Sequence, residues 1–126
     1  LLCNMQIYEY LKHTVQSSIL ALIFLFGATA AQSAELLMVE EPGCVYCARF
    51  NREIGPAYPK TEEGKLAPLR RLQIADPWPE ELEGVRKASV TPTFILVDNG
   101  MEIDRLVGYP GDEHFWFLLS QMLGNL

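Results

Sequence analysis

The sequence predicts an α/β domain built on one mixed four-stranded sheet with helices on both faces. Three observations lead there. Short β-prone runs alternate with helix-type periodicity in the order β-α-β-α-β-β-α. The last two strands flank Asp98-Asn99-Gly100, and Asn-Gly accepts the positive φ that tight hairpin turns demand. A closing segment, Asp112 to Leu123, carries Phe115, Leu118, Leu119 and Met122 on one helical stripe. A β-α-β crossover requires parallel strands and a hairpin requires antiparallel ones, so the sheet must be mixed. Helices on both of its faces give the simplest closure.

Each element has a local reason. Leu36-Leu37-Met38-Val39 is an apolar run long enough for a buried strand, and Glu40-Glu41-Pro42-Gly43 breaks it. Cys44 to Ile54 reads as a helix with Val45, Ala48, Phe50 and Ile54 apolar, stopped by Gly55-Pro56. Residues 56–68 read as a loop with one helical turn near Thr61-Glu62-Glu63. Leu69 to Ile74 alternates as a strand with one wetter face. Pro79 sits where a helix start tolerates it, and Glu80 to Ala88 is predicted as a short helix with acids in its first turn. Thr93 to Val97 is strongly β-prone. Met101 to Val107 returns as its partner, with Ile103 and the stem of Arg105 alternating against polar neighbours. Asp112 is the candidate N-cap of the last helix.

The first thirty residues have a different character. Lys12 and His13 precede the apolar run Ile19 to Phe26, and small residues follow, with Ala28-Thr29-Ala30 as the best cleavage site. This is the pattern of a secretory signal over residues 1–30, ahead of a domain at 31–126. The apolar run is shorter than the roughly 20 residues that cross a bilayer as a helix. An uncleaved anchor is the alternative. Cleavage would remove Lys12 and Glu9 together, leaving the net charge at −6, and would remove Cys3. Cys44 and Cys47 would then be the remaining cysteines, in a compartment where disulfides persist.

A net charge of −6 argues against nucleic acid, because a phosphate backbone needs clustered Lys and Arg. The densest basic pairs are Arg70-Arg71 and Arg86-Lys87, which read as solvated faces.

The chemistry concentrates at Cys44 and Cys47. Two cysteines three apart at a helix start face unpaired N–H groups and a partial positive charge, which favour a thiolate at Cys44. One helical turn brings Cys47 to the same place. Cys44 can therefore attack a partner's disulfide and Cys47 can resolve the mixed disulfide. Competing readings are structural zinc, a static disulfide and Cu(I) binding. Zinc wants four ligands, and beyond the two cysteines only His114 is on offer. A two-residue loop constrains little of the unfolded chain. Thiolates do suit Cu(I), so a metallochaperone stays open. The strand before the pair and the helix after it favour redox work without a metal.

In order, strand–Cys44-Val45-Tyr46-Cys47–helix, Val90-Thr91-Pro92-Thr93-Phe94, Asp98-Asn99-Gly100-Met101-Glu102 and Val107-Gly108 resemble the thioredoxin superfamily over roughly residues 35–124. Glu40-Glu41-Pro42-Gly43 before the cysteines and Ala67-Pro68-Leu69-Arg70-Arg71 resemble one subgroup, the exported thioredoxins of bacterial sulfur oxidation. The resemblance implies a thioredoxin-like fold and an exposed attacking Cys44. It also implies a buried resolving Cys47 and a cis-proline at Pro92, beside which the backbone near Thr91 pairs with a substrate. Tyr46 and Tyr109 are the further candidates for partner contact, with Trp78 ranked below them as packing. No cofactor is implied beyond the redox-active Cys44–Cys47 disulfide. The implied setting is a periplasmic monomer that reduces a SoxYZ-like carrier holding sulfur on a cysteine. A membrane thiol donor of the CcdA or SoxV type would re-reduce it. A disulfide oxidase or isomerase on the same fold is the other direction of flow.

The sequence departs from thioredoxin where the potential is set. Val45-Tyr46 replaces Gly-Pro, Gly43 replaces Trp, and Met38 stands where the family has a buried Asp. Glu40 and Glu41 either replace that carboxylate or are loop charges, the reading favoured here. Near Cys44 they would oppose the thiolate, and Arg49 would partly offset them. His114 reads as a surface residue.

Overall fold

The computed structural model describes residues 34–126, together with Ile7. Apart from Ile7, the leader predicted at residues 1–30, with Cys3, lies outside them.

The described elements are β1 (Ala34–Glu40), α1 (Val45–Glu53), a 3-10 turn (Tyr58–Lys60) and α2 (Glu62–Leu66). There follow β2 (Leu69–Gln73), a 3-10 turn (Glu80–Leu82), β3 (Thr93–Asp98), β4 (Met101–Val107) and α3 (Asp112–Leu123). The strands form one mixed sheet in the order β2-β1-β3-β4. β1 runs parallel to β2 and antiparallel to β3, and β3 runs antiparallel to β4. The predicted α/β class and mixed four-stranded sheet are those observed.

Side-chain alternation along β1 and β3 splits the core in two. Leu36, Met38, Phe94 and Leu96 face α1 and α3, where Phe50, Phe115, Leu119 and Met122 close the layer. Leu37, Val39, Ile95 and Val97 face the other way, under Leu82, Val85 and Trp78. Strands buried on both faces read as continuous apolar runs, as Leu36-Leu37-Met38-Val39 does.

Three local expectations are corrected. The helix predicted over Glu80–Ala88 is only the 3-10 turn Glu80–Leu82. Side chains of β4 claim its backbone instead: Arg86 N–H donates to Glu102 Oε2 at 3.2 Å, and Arg105 Nη2 donates to Arg86 C=O at 2.6 Å. Gly84 at the centre of that span also weakens a helix, by about 1 kcal/mol relative to Ala. Ile103 does not alternate inward. The β3–β4 register pairs Leu96 with Asp104 and Val97 with Glu102, so Ile103 is the bulged residue and is 37% exposed. Asp112 is the first helical residue of α3 and not its cap, since Gly111 precedes the helix at φ 98° without a side-chain capping bond. Asp112 and Glu113 still place negative charge on the positive end of the helix.

The hairpin forms where predicted. Asn99 and Gly100 both take positive φ, 49° and 75°.

Phe50 docks α1 on the sheet. Its ring centroid lies 4.7 Å from Phe94, 5.1 Å from Phe115 and 5.6 Å from Tyr109. Phe50→Ala should destabilise the domain by about 3–5 kcal/mol, the usual cost of a deleted core aromatic. Urea unfolding of the oxidised protein measures this, and a loss below about 1 kcal/mol would contradict the packing described.

Candidate active site

The site begins with the break after β1. Cys44 N–H donates to Glu41 C=O at 3.3 Å, closing a turn in which Gly43 takes φ 79°. That turn delivers Cys44 as the residue preceding α1. Its carbonyl accepts from Ala48 N–H at 3.1 Å, and its Sγ accepts from Cys47 N–H at 3.1 Å. Cys44 and Cys47 are joined by a disulfide, Sγ–Sγ 2.04 Å and Cα–Cα 5.2 Å. The two sulfurs sit in different surroundings. Cys44 is half-buried, whereas Cys47 is 3% exposed and belongs to the apolar layer with Phe50. An attacking partner therefore meets Cys44. The first turn of α1 carries no acid, so the positive helix end is left for a thiolate released there.

The disulfide has two unlike flanks. On one side is a cleft of about 390 Å³ that Glu40, Glu41, Asn51 and Arg52 line together with both cysteines. Neither acid is free: Glu40 Oε2 pairs with Arg71 Nη1 at 2.9 Å, and Glu41 Oε1 accepts from Thr91 Oγ1 at 2.5 Å. The second bond spans 50 residues and ties the loop before Pro92 to the loop that leads into Cys44. The Thr91–Pro92 peptide bond is cis and Pro92 is buried. On the other side is a shallow groove of about 300 Å³ bordered by Tyr46, Val107, Gly108, Tyr109 and Pro110. Tyr46 is 57% exposed there.

The candidate residues thus fall into distinct places. Tyr46 and Tyr109 share the groove, but Tyr109 is only 5% exposed, and its ring packs on Phe50 and Phe115. It forms the groove's back wall and offers little surface of its own. Trp78 packs beneath the opposite sheet face and His114 is exposed on α3. Met38 fills its position with a fully buried thioether, with Arg71 Nη1 3.4 Å from its sulfur.

Arg49 does not offset Glu40 and Glu41 as expected. Its Nε donates to Glu53 Oε1 at 2.8 Å and its guanidinium lies 5.7 Å over the Tyr109 ring. The arginine that lines the cleft is Arg52. Glu53 also accepts from Tyr109 Oη at 2.6 Å. That hydrogen bond, then Arg49, holds the Glu53 carboxyl below the usual carboxylate range. Arg52 and Glu53 were not singled out from the sequence, yet helical spacing carries them. Cys44, Cys47, Ala48, Asn51 and Arg52 fall at i, i+3, i+4, i+7 and i+8, while Tyr46, Arg49 and Glu53 fall at i, i+3 and i+7.

Residues 27–123 match the thioredoxin-like domain family. The chain is similar to the crystal structure of the reduced periplasmic thioredoxin SoxS from Paracoccus pantotrophus, with 50% identity and a TM-score of 0.71. That match covers 73% of this chain and 97% of the other. A thioredoxin-fold protein from Helicobacter pylori matches at 23% identity and TM-score 0.55, covering 71% of this chain and 68% of the other. The Malassezia sympodialis thioredoxin Mala s 13 matches at 22% and 0.51, covering 72% and 76%. At these identities the last two show the fold alone. No curated protein matches the chain.

Burial raises the phenol pKa of Tyr58 and of Tyr109 above the ordinary 10.0, and the hydrogen bond to Glu53 adds to the effect at Tyr109. Above pH 10 the unfolded chain then releases protons that the folded chain keeps. The stability is complete below the unfolded pKa and falls as pH rises towards the folded ones. Denaturation midpoints measured from pH 8 to 11 should therefore decline, with Tyr58→Phe and Tyr109→Phe each flattening the decline. An unchanged slope in both variants would show that other groups cause it.

Proposed function

The chain belongs to the thioredoxin-like family and is a thiol–disulfide oxidoreductase, and on that premise we propose that it reduces disulfides on periplasmic partner proteins through Cys44 and Cys47. The observation that carries the reading is the asymmetry of the pair: Cys44 is reachable from solvent at the helix start, while Cys47 is enclosed behind it. In the reduced protein the Cys44 thiolate attacks one sulfur of a client disulfide. A mixed disulfide forms and the other client sulfur leaves as a thiolate that takes up a proton. Cys47 then loses its proton and attacks Cys44 Sγ. The Cys44–Cys47 bond closes, the second client thiolate leaves, and two electrons have passed to the client.

The flanks suit a client segment crossing the disulfide. Val45, Tyr46, Val90 and Val107 are exposed apolar side chains in the segments around it, and such side chains fit contact with a partner. Thr91 and Pro92 would present backbone to that segment, Tyr46 would contact it directly, and Tyr109 would back the groove.

Periplasmic work rests on the identity with periplasmic SoxS and on the signal pattern at residues 1–30. With it comes the subgroup's client, a SoxYZ-like carrier bearing sulfur on a cysteine. A CcdA- or SoxV-like membrane protein would return electrons, because the outside supplies no strong reductant. No cofactor beyond the dithiol enters this scheme.

Two experiments test it. Cys47→Ser should accumulate a mixed disulfide with the natural client in periplasmic extracts, and Cys44→Ser should not. Equal trapping by both variants would refute the assigned roles. The midpoint potential should lie nearer thioredoxin's, about −270 mV, than the roughly −120 mV of a strong oxidant. An oxidising value, or tight stoichiometric Cu(I) binding without insulin reduction, would replace the reductase with an oxidase or a copper carrier.

A further inference from the structure

The groove beside Tyr46 is walled by Gly108, Tyr109 and Pro110, and the segment Gly108–Gly111 runs along the Tyr46–Arg49–Glu53 stripe of α1. Both end glycines take positive φ, 85° and 98°, so the segment has no regular secondary structure to stiffen it. Its backbone is tied at its ends: Gly108 N–H donates to Pro92 C=O at 2.8 Å, and Gly111 C=O accepts from Phe115 N–H at 2.9 Å. Between those points, among the described residues, its side-chain hydrogen bond is Tyr109 Oη to Glu53 Oε2 at 2.6 Å. Glu53 is in turn held by Arg49 at 2.8 Å, and Arg49 lies over the ring it helps to fix. That guanidinium also lies beside Gly111, its Nη2 3.6 Å from where a Cβ would stand, an ordinary contact distance. The chain of contacts therefore runs from the active-site helix through Glu53 and Tyr109 to Gly108 and Pro92.

We infer that Glu53 is a positioning residue for the client: through Tyr109 it fixes the groove wall and the Pro92 carbonyl relative to Tyr46, and so governs client binding without touching the disulfide. This rests on the reductase reading above. Glu53 shares a helix with the cysteines but stands at its far end, six residues beyond Cys47. Seven residues separate it from Tyr46, which at the helical rise is about 10 Å. A group that far along the helix acts on binding geometry and leaves the redox couple alone.

The test compares two disulfide substrates. Insulin must lie across the groove, whereas the small aromatic disulfide 5,5′-dithiobis(2-nitrobenzoate) needs only access to Cys44. Glu53→Ala should raise KM for insulin about tenfold, as loss of a charge-assisted hydrogen bond allows, with kcat little changed. Its rate with the small disulfide and its midpoint potential should match wild type. Glu53→Gln keeps an acceptor for Tyr109 and should hold KM for insulin within about twofold. Tyr109→Phe keeps the ring in the core and should reproduce the KM rise of Glu53→Ala. That second variant also serves if Glu53→Ala does not fold. Wild-type KM in Tyr109→Phe, or equal losses on both substrates, would overturn the inference. Wild-type protein that fails to reduce insulin at all would instead overturn the reductase reading.

Discussion

The site depends on how α1 is docked. Phe50 is fully buried among Phe94, Phe115 and Tyr109, one helical turn after Cys47. Aromatic rings meeting edge-to-face have preferred geometry as well as large buried area, so the helix is fixed in rotation and not merely attached. That rotation decides which sulfur faces inward. Turned as it is, the helix encloses Cys47 and leaves Cys44 at the rim.

The same rotation sorts the rest of the helix. One stripe, Cys44 to Arg52, borders the acidic cleft, and the next starts at Tyr46 in the tyrosine groove and ends at Glu53, which accepts from Tyr109 Oη behind it. Glu40 and Glu41 line the cleft beside the disulfide, yet each is engaged elsewhere, by Arg71 and by Thr91. The pairing with Arg71 moderates the acid charge at the rim, and the bond to Thr91 puts a carboxylate to structural use.

Much of this was legible in the sequence. β1 and β3 announce themselves because strands buried on both faces need unbroken apolar runs. The hairpin does so because Asn99-Gly100 takes a conformation few other pairs adopt. Cys44 and Cys47 are legible from spacing and setting. What escaped was decided by distant partners. The helix expected at Glu80–Ala88 lost its backbone bonds to Glu102 and Arg105, which lie on another element. Tyr109 was a candidate for partner contact, but its ring completes the Phe50 cluster, and a single sequence does not show that packing. Glu53 was hidden because its partners lie four and 56 residues away, and only the nearer is a matter of helical spacing.

The bulge at Ile103 has a consequence of another kind. β4 is an outer strand, and an outer strand with free N–H and C=O groups is a template for aggregation. A regular β4 would be such a template along its whole length. The unpaired residue kinks the strand midway and leaves two short stretches, with Glu102 and Asp104 on either side of the break. The same sheet that supports the disulfide thereby discourages strand addition along its open edge, and colloidal stability becomes a property of the architecture that carries the chemistry.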